Sequence, residues 1–283
     1  MHYDGKRVGF ISLVIISFVC MSLGNGYAQE VTGDITASPP SEGVTFSYEG
    51  DTGPAFWDRL SPEWETCGTG MAQSPIDLTA SNITASDPAV LEFNYNAAPL
   101  NILNNGHTIE MTYAPGSSLV VDGDAFEVEQ FHFHTPSEHT LEQGAHYPIE
   151  MHIVHQNSQG TNAVVSVMIR PGAANPALDA LRQLQQLIPL VEGVTYNFST
   201  LSVNVGDLLP ATRQFIHYTG SLTTPPCTEG VAWYVLKTPI EMSEEQINIL
   251  RSALNQLAYA SSAGTNNRPT QPLNGRTISR GGE

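Results

Sequence analysis

Between Phe126 and His134 apolar and polar side chains follow a two-residue rhythm, and this segment dictates a β-strand at the centre of whatever the chain folds into. A strict period of two places Phe126, Val128, Gln130, His132 and His134 on one face. Glu127, Glu129, Phe131 and Phe133 then take the other. A second strand is expected over Ile149–His155, with Glu150, His152 and Val154 on one face. The connection between the two is short enough for antiparallel pairing, which lets the imidazoles of His132, His134 and His152 converge on one point.

Three histidines with an open fourth position form the ligand set of a catalytic zinc rather than a structural one. Gln130 and Glu150 each precede a ligand by two residues on the same face. Each is placed to accept the ligand's second N–H, which sets the ring tautomer and raises its basicity. Scattered surface histidines are the bland alternative; the paired spacing with matching acceptors speaks against it.

The rest of the chain reads mostly as strands parted by turn signals: 108–113, 118–121, 163–169 and 231–237. Two helices stand out. Asn175-Pro176 opens one, with Leu178, Leu181, Leu184 and Leu187/Ile188 on one face. Ser243 and Gln246 form a capping box ahead of Ile247, Leu250, Leu254 and Leu257. The expectation is a mixed, predominantly β fold with helices on the outside.

Lys6 and Arg7 precede an apolar run from Val8 to Leu23, and Gly26-Tyr27-Ala28 supplies small residues at an exit site. Residues 1–28 are therefore expected to be a secretory signal, leaving no stable membrane span after cleavage and a periplasmic or secreted product. Residues 29–45 are polar, contain Pro and lack periodicity, so they read as a flexible leader to a single domain over 46–280. Cleavage removes Cys20 and leaves Cys67 and Cys227, which in an exported protein read as one disulfide. Eleven basic residues against 28 acidic ones give a net charge of −17, a field that repels nucleic acid.

The histidine segments, 130–139 and 150–155, resemble the zinc-site strands of α-class carbonic anhydrases in their bacterial exported form. The likeness extends to Gln73–Asp77, Ile102–His107, Ser221–Pro226 and Asn266–Leu273, and so covers nearly all of the chain beyond the signal. It implies a large central, mostly antiparallel twisted sheet with peripheral helices. It also implies reversible hydration of carbon dioxide to bicarbonate and a proton, with zinc hydroxide as nucleophile.

By this resemblance His132, His134 and His152 hold Zn2+, with Gln130, Glu150 and the backbone carbonyl of Asn266 as their supports. Thr223 and Glu138 match the pair that orients the hydroxide, and Thr224 matches a neighbour that contacts the product anion. Val154, Val164, Leu222, Val231 and Trp233 match the apolar waiting site for carbon dioxide. His107 matches the proton shuttle, a role suited to an imidazole whose ordinary pKa is about 6.5. The remaining histidines, His139, His146, His155 and His217, read as structural or surface residues.

Two departures from the family pattern stand out. Glu110 replaces an amide common on the polar side of the cavity, and Phe46 replaces a Trp, with Tyr48 kept beyond it. A silent family member serving as an adhesion module would lack zinc ligands, and this chain has all three. An ester hydrolase using the same metal centre stays open, as does the choice between monomer and homodimer. A zincin-type protease is excluded by the absence of His-Glu-x-x-His.

Overall fold

The computed structural model describes residues 14–15, 18–19, 30–31, 33–37, 44–83, 85–141, 144–178, 188–189 and 191–282. The early strands are β1 (Val14–Ile15), β2 (Phe18–Val19), β3 (Glu30–Val31), β4 (Gly33–Ala37), β5 (Ala85–Ser86), β6 (Leu91–Asn94), β7 (Ala98–Asn104) and β8 (Ile109–Thr112). They are followed by β9 (Ser118–Val121), β10 (Asp124–His134), β11 (Ile149–Gln156), β12 (Asn162–Pro171), β13 (Val194–Val203), β14 (Phe215–Ser221), β15 (Glu229–Met242) and β16 (Ser279–Gly281).

One large sheet runs in the order β1-β4-β13-β7-β8-β10-β11-β12-β15-β14-β16-β5, with β9 pairing a further stretch of β10 and β6 pairing β9. Its pairings are antiparallel except β12 with β15 and β16 with β5. The sheet matches the expected class. Expected strands 108–113, 118–121, 163–169 and 231–237 correspond to β8, β9, β12 and β15, the last two longer at both ends.

The face assignment along β10 needs a correction. Register with β11 slips between Val128 and Gln130, so a β-bulge there turns the strand over by one residue. Phe126 and Val128 consequently lie in the same core cluster as Phe131 and Phe133 instead of alongside the histidines. Gln130, His132 and His134 keep the opposite face. The slip lets β10 stay buried along both halves while presenting only its end to the site.

Short helices α1 (Trp57–Leu60) and α2 (Thr66–Thr69) pack near the site, and α3 (Glu244–Leu254) covers the sheet. Helix α3 begins as expected. The Ser243 hydroxyl accepts from the Gln246 amide, and the Gln246 side chain accepts from the Ser243 amide. Its Ile247, Leu250 and Leu254 enter the larger core cluster, each burial worth about 1.5–3 kcal/mol. Of the helix expected after Asn175, Pro176–Leu178 forms a 3-10 turn; Leu181, Leu184 and Leu187 lie outside the described residues.

The expected leader is partly structured. Gly33–Ala37 pairs antiparallel with β13, Ile35 opposite Tyr196, because an extended polar segment can satisfy its backbone groups on a sheet edge. Cys67 and Cys227 are joined in a disulfide 160 residues apart in sequence, beside Phe46, Tyr48 and Trp57. Among the described residues no helix is long and apolar enough to cross a membrane.

Candidate metal centre

Antiparallel pairing of β10 with β11 sets His132 opposite His152, His134 opposite Glu150 and Gln130 opposite Val154. Directly opposed residues share a face, so the three imidazoles meet by register alone. Their ligand nitrogens all lie within 4.8 Å of one another. Nε2 of His132 is 3.1 Å from Nε2 of His134.

Each ring spends its other nitrogen on an acceptor. His132 Nδ1 donates to Gln130 Oε1 at 2.8 Å, and His134 Nδ1 to the carbonyl oxygen of Asn266 at 2.7 Å. His152 Nε2 donates to Glu150 Oε1 at 2.8 Å. Nε2 of the first two and Nδ1 of the third are thereby left with lone pairs aimed at the shared point. Burial lowers all three imidazoles, His134 to about 4, so at neutral pH they are uncharged ligands. That donor set fits a zinc ion with one position open.

Glu150 has wider support than the sequence suggested. Its Oε1 also accepts from His139 Nδ1 and Ser166 Oγ, both at 2.6 Å. Its Oε2 takes the backbone amides of Glu138 and His139 at 2.7 and 2.8 Å. Burial opposes ionisation of this carboxyl, but His139 and His152 and their hydrogen bonds outweigh it and hold it well below the usual range. His139, read from sequence as structural or surface, is fully buried and continues the chain of bonds, its Nε2 accepting from the Tyr218 hydroxyl at 2.6 Å. His139, Glu150 and His152 also lie close enough to hold an ion, but donors already fill both oxygens of Glu150. Only the proximity of His139 to Glu138 in the motif could have hinted at this role; Ser166 and Tyr218 carry no sequence signal.

Glu138 is completely buried at the edge of the cluster. Oε1 accepts from the backbone amide of Arg268 at 2.8 Å, and Oε2 stands 3.5 Å from His134 Nε2. Burial raises this carboxyl to about 7, against the pull of His152, the Arg268 amide and the Thr223 hydroxyl. Thr223 is itself buried, at the start of the turn that leads to Cys227.

The five residues expected to make an apolar pocket do come together. Val164, Val231 and Trp233 are buried in one cluster, with Val154 and Leu222 packed against it. The Trp233 ring stands edge-on to His152 at 4.8 Å, joining the cluster to the metal point. Glu110, opposite His132 across β8 and β10, is pushed up by burial and lowered in part by a bond from Asn105 Nδ2 at 3.4 Å. Thr224 is half-buried next to Thr223.

His107 differs from expectation in one respect. Its imidazole is half-buried and lowered by burial to about 4, not left near its ordinary value. Phe46 stacks on it with ring centroids 3.7 Å apart, and Tyr259 stacks at 4.7 Å.

Comparison with known proteins agrees with this geometry. The family model for eukaryotic-type carbonic anhydrase matches residues 52–281. A carbonic anhydrase of Pectobacterium carotovorum is 39% identical over 239 residues, covering 84% of this chain and 91% of that protein. The α-carbonic anhydrase of Thermovibrio ammonificans, solved with sulfanilamide, superposes with a TM-score of 0.75 at 39% identity over 84% of this chain and 99% of its own. Dioscorin complexed with ascorbate superposes with the same TM-score at 33% identity, over 83% of this chain and 97% of its own. With the sheet, the histidine cluster and these likenesses in agreement, the chain belongs to the α-class carbonic anhydrases.

Proposed function

We propose that this carbonic anhydrase reversibly hydrates carbon dioxide to bicarbonate and a proton on one zinc held by Nε2 of His132, Nε2 of His134 and Nδ1 of His152. The observation that carries the reading is that each of these rings has its other nitrogen bonded to an acceptor, so all three remaining lone pairs face one point. Zinc, when bound, supplies a Lewis acid that makes a nucleophile available at neutral pH.

The chain's own residues do the rest. The Thr223 hydroxyl donates a hydrogen bond to Glu138, which leaves its lone pairs facing the site to accept from the attacking group and aim it. Val154, Val164, Leu222, Val231 and Trp233 hold the uncharged substrate where polar groups would bind water instead. Thr224 contacts the anionic product. His107 passes the proton to buffer. A signal over 1–28 and a mature catalytic domain over 46–280 complete the reading, with periplasmic or secreted placement supported by the disulfide.

Stopped-flow carbon dioxide hydration by zinc-loaded protein tests the activity, and absence of turnover in protein carrying one zinc per chain refutes it. Residue roles separate by kinetics. His107→Ala lowers kcat in weak buffer and is rescued by imidazole, while kcat/KM stays near wild type. Thr223→Ala lowers kcat/KM by about 10²-fold or more, without rescue. Equal loss of kcat/KM in both variants removes the shuttle role from His107.

A further inference from the structure

His107 lies in a slot with two aromatic walls. Phe46 is parallel to its ring, with centroids 3.7 Å apart and planes within 3°. Tyr259 covers the other face at 4.7 Å and 22°. Tyr48 stands edge-on at 6.4 Å.

Both walls are anchored independently of the histidine. Phe46 is buried and packs edge-to-face on Trp57 and Trp64, at 5.1 and 5.9 Å. The Tyr259 hydroxyl donates to Glu192 Oε2 at 3.0 Å; its amide donates to the Gly106 carbonyl at 3.1 Å, and its carbonyl accepts from Tyr48 at 3.2 Å. Gly106 has φ +83°, and a Cβ there would sit 2.7 Å from the Tyr259 ring, so a side chain at this position would push the wall away. The His107 backbone is pinned as well. Asn105 Oδ1 accepts its amide at 3.0 Å, and Asn266 Nδ2 donates to its carbonyl at 3.1 Å.

Nδ1 of the imidazole is buried and meets no hydrogen-bond partner among the described residues. The titratable groups around it are turned elsewhere: Glu192 to the Tyr259 hydroxyl, Glu110 to Asn105, and Tyr48 edge-on. Aromatic faces attract a cation by about 0.5–1 kcal/mol at exposed sites, but burying a charged ring with an unpaired N–H costs more. Burial accordingly lowers this histidine to about 4.

We propose that Phe46 and Tyr259 form a clamp that fixes the His107 imidazole and keeps it from taking up a proton, making both of them positioning residues that limit proton export from the site. This rests on the reading of His107 as the export group. A proton acceptor several units weaker than its donor slows the transfer, so the clamp throttles turnover without touching the chemical step. Opening one wall restores water to the ring and loosens the brake.

The test uses the full zinc-loaded chain. The His107 ring proton resonance, assigned by its loss in His107→Ala, is followed from pH 8 to pH 4. In the wild type it stays flat to about pH 5; in Tyr259→Ala its midpoint rises by about 1–2 units toward 6.5. Tyr259→Phe keeps the wall and leaves the midpoint low. Phe46→Leu, opening the other face, is the second variant and moves it upward too. In weak buffer, Tyr259→Ala raises kcat several-fold relative to kcat/KM, and the gain vanishes when His107→Ala is added. A wild-type midpoint near 6.5, or one unmoved in both folded variants, overturns the clamp. A raised midpoint with no change in kcat overturns the limit on proton export, whereas an unchanged kcat for His107→Ala in weak buffer overturns, separately, the assignment of His107 as shuttle.

Discussion

Arg268 donates through Nη2 to the carbonyl oxygen of Cys67 at 2.7 Å, while its own backbone amide donates to Glu138 at 2.8 Å. One residue therefore ties the disulfide region to the buried carboxylate of Glu138, the residue proposed to orient the reaction. Nη1 adds bonds to Gln73 Oε1 and the Ser74 carbonyl, both at 2.8 Å, and the guanidinium lies over Trp57 at 5.5 Å. Lysine cannot reproduce this fork. Arg268→Lys is expected to cost about 2–4 kcal/mol in urea unfolding, because buried carbonyls lose their donors, and to lower kcat/KM through displacement of Glu138. Unfolding within 0.5 kcal/mol of wild type would show that the network does not hold the segment.

At the metal point, His134→Ala is expected to reduce zinc from about one per chain to a small fraction after dialysis, measured by elemental analysis. Gln130→Ala removes only the acceptor for His132, so zinc affinity should fall by about 10- to 100-fold with the ion still bound at high zinc concentration. Full retention of zinc by His134→Ala contradicts the ligand set.

Thiol titration of the denatured, unreduced protein should find neither Cys67 nor Cys227 free. Reduction should lower stability by up to roughly 5 kcal/mol, the loop-entropy value for so long a connection. Zinc affinity should change less, since neither cysteine adjoins a ligand.

His155 supplies a pH dependence of the fold. It is fully buried, Nδ1 donating to the Ala163 carbonyl at 3.2 Å and Nε2 accepting from the Tyr95 hydroxyl at 2.7 Å. Burial lowers it to about 4, against the opposing pull of its backbone bonds. Between pH 6.5 and pH 4 the unfolded chain binds this proton and the folded chain does not, so stability falls as pH falls through that window. At pH 5 the penalty is about 2 kcal/mol. Replacing the ring by His155→Gln should flatten the change in urea-unfolding free energy between pH 7 and pH 5 by that amount; an unaltered slope removes the assignment.

The sequence by itself determined the local features of this protein. Two-residue spacing put His132 and His134 on one face with Gln130, and His152 with Glu150, because side-chain direction in a strand depends only on parity. The Ser243–Gln246 cap was legible for the same reason, since both partners lie within one helical turn. The roles proposed for Thr223 and His107 rest on resemblance alone, because a threonine in a Pro-bearing turn and a histidine after Asn-Asn-Gly have no distinguishing local chemistry. Tertiary structure decided what depends on register and on chain brought from afar. The bulge between Val128 and Gln130 reversed Phe126 and Val128 against the parity rule, since an extra residue in a ladder is set by the partner strand. Strands β7, β13 and β14 take their places from their neighbours in the sheet, which no local pattern specifies. The burial of His139 and Arg268 and the aromatic walls around His107 came from segments separated by dozens to hundreds of positions, whose meeting no local pattern encodes. A side chain's chemistry is local, but its solvation is not, and loss of solvation by burial lowers His107 to about 4 here.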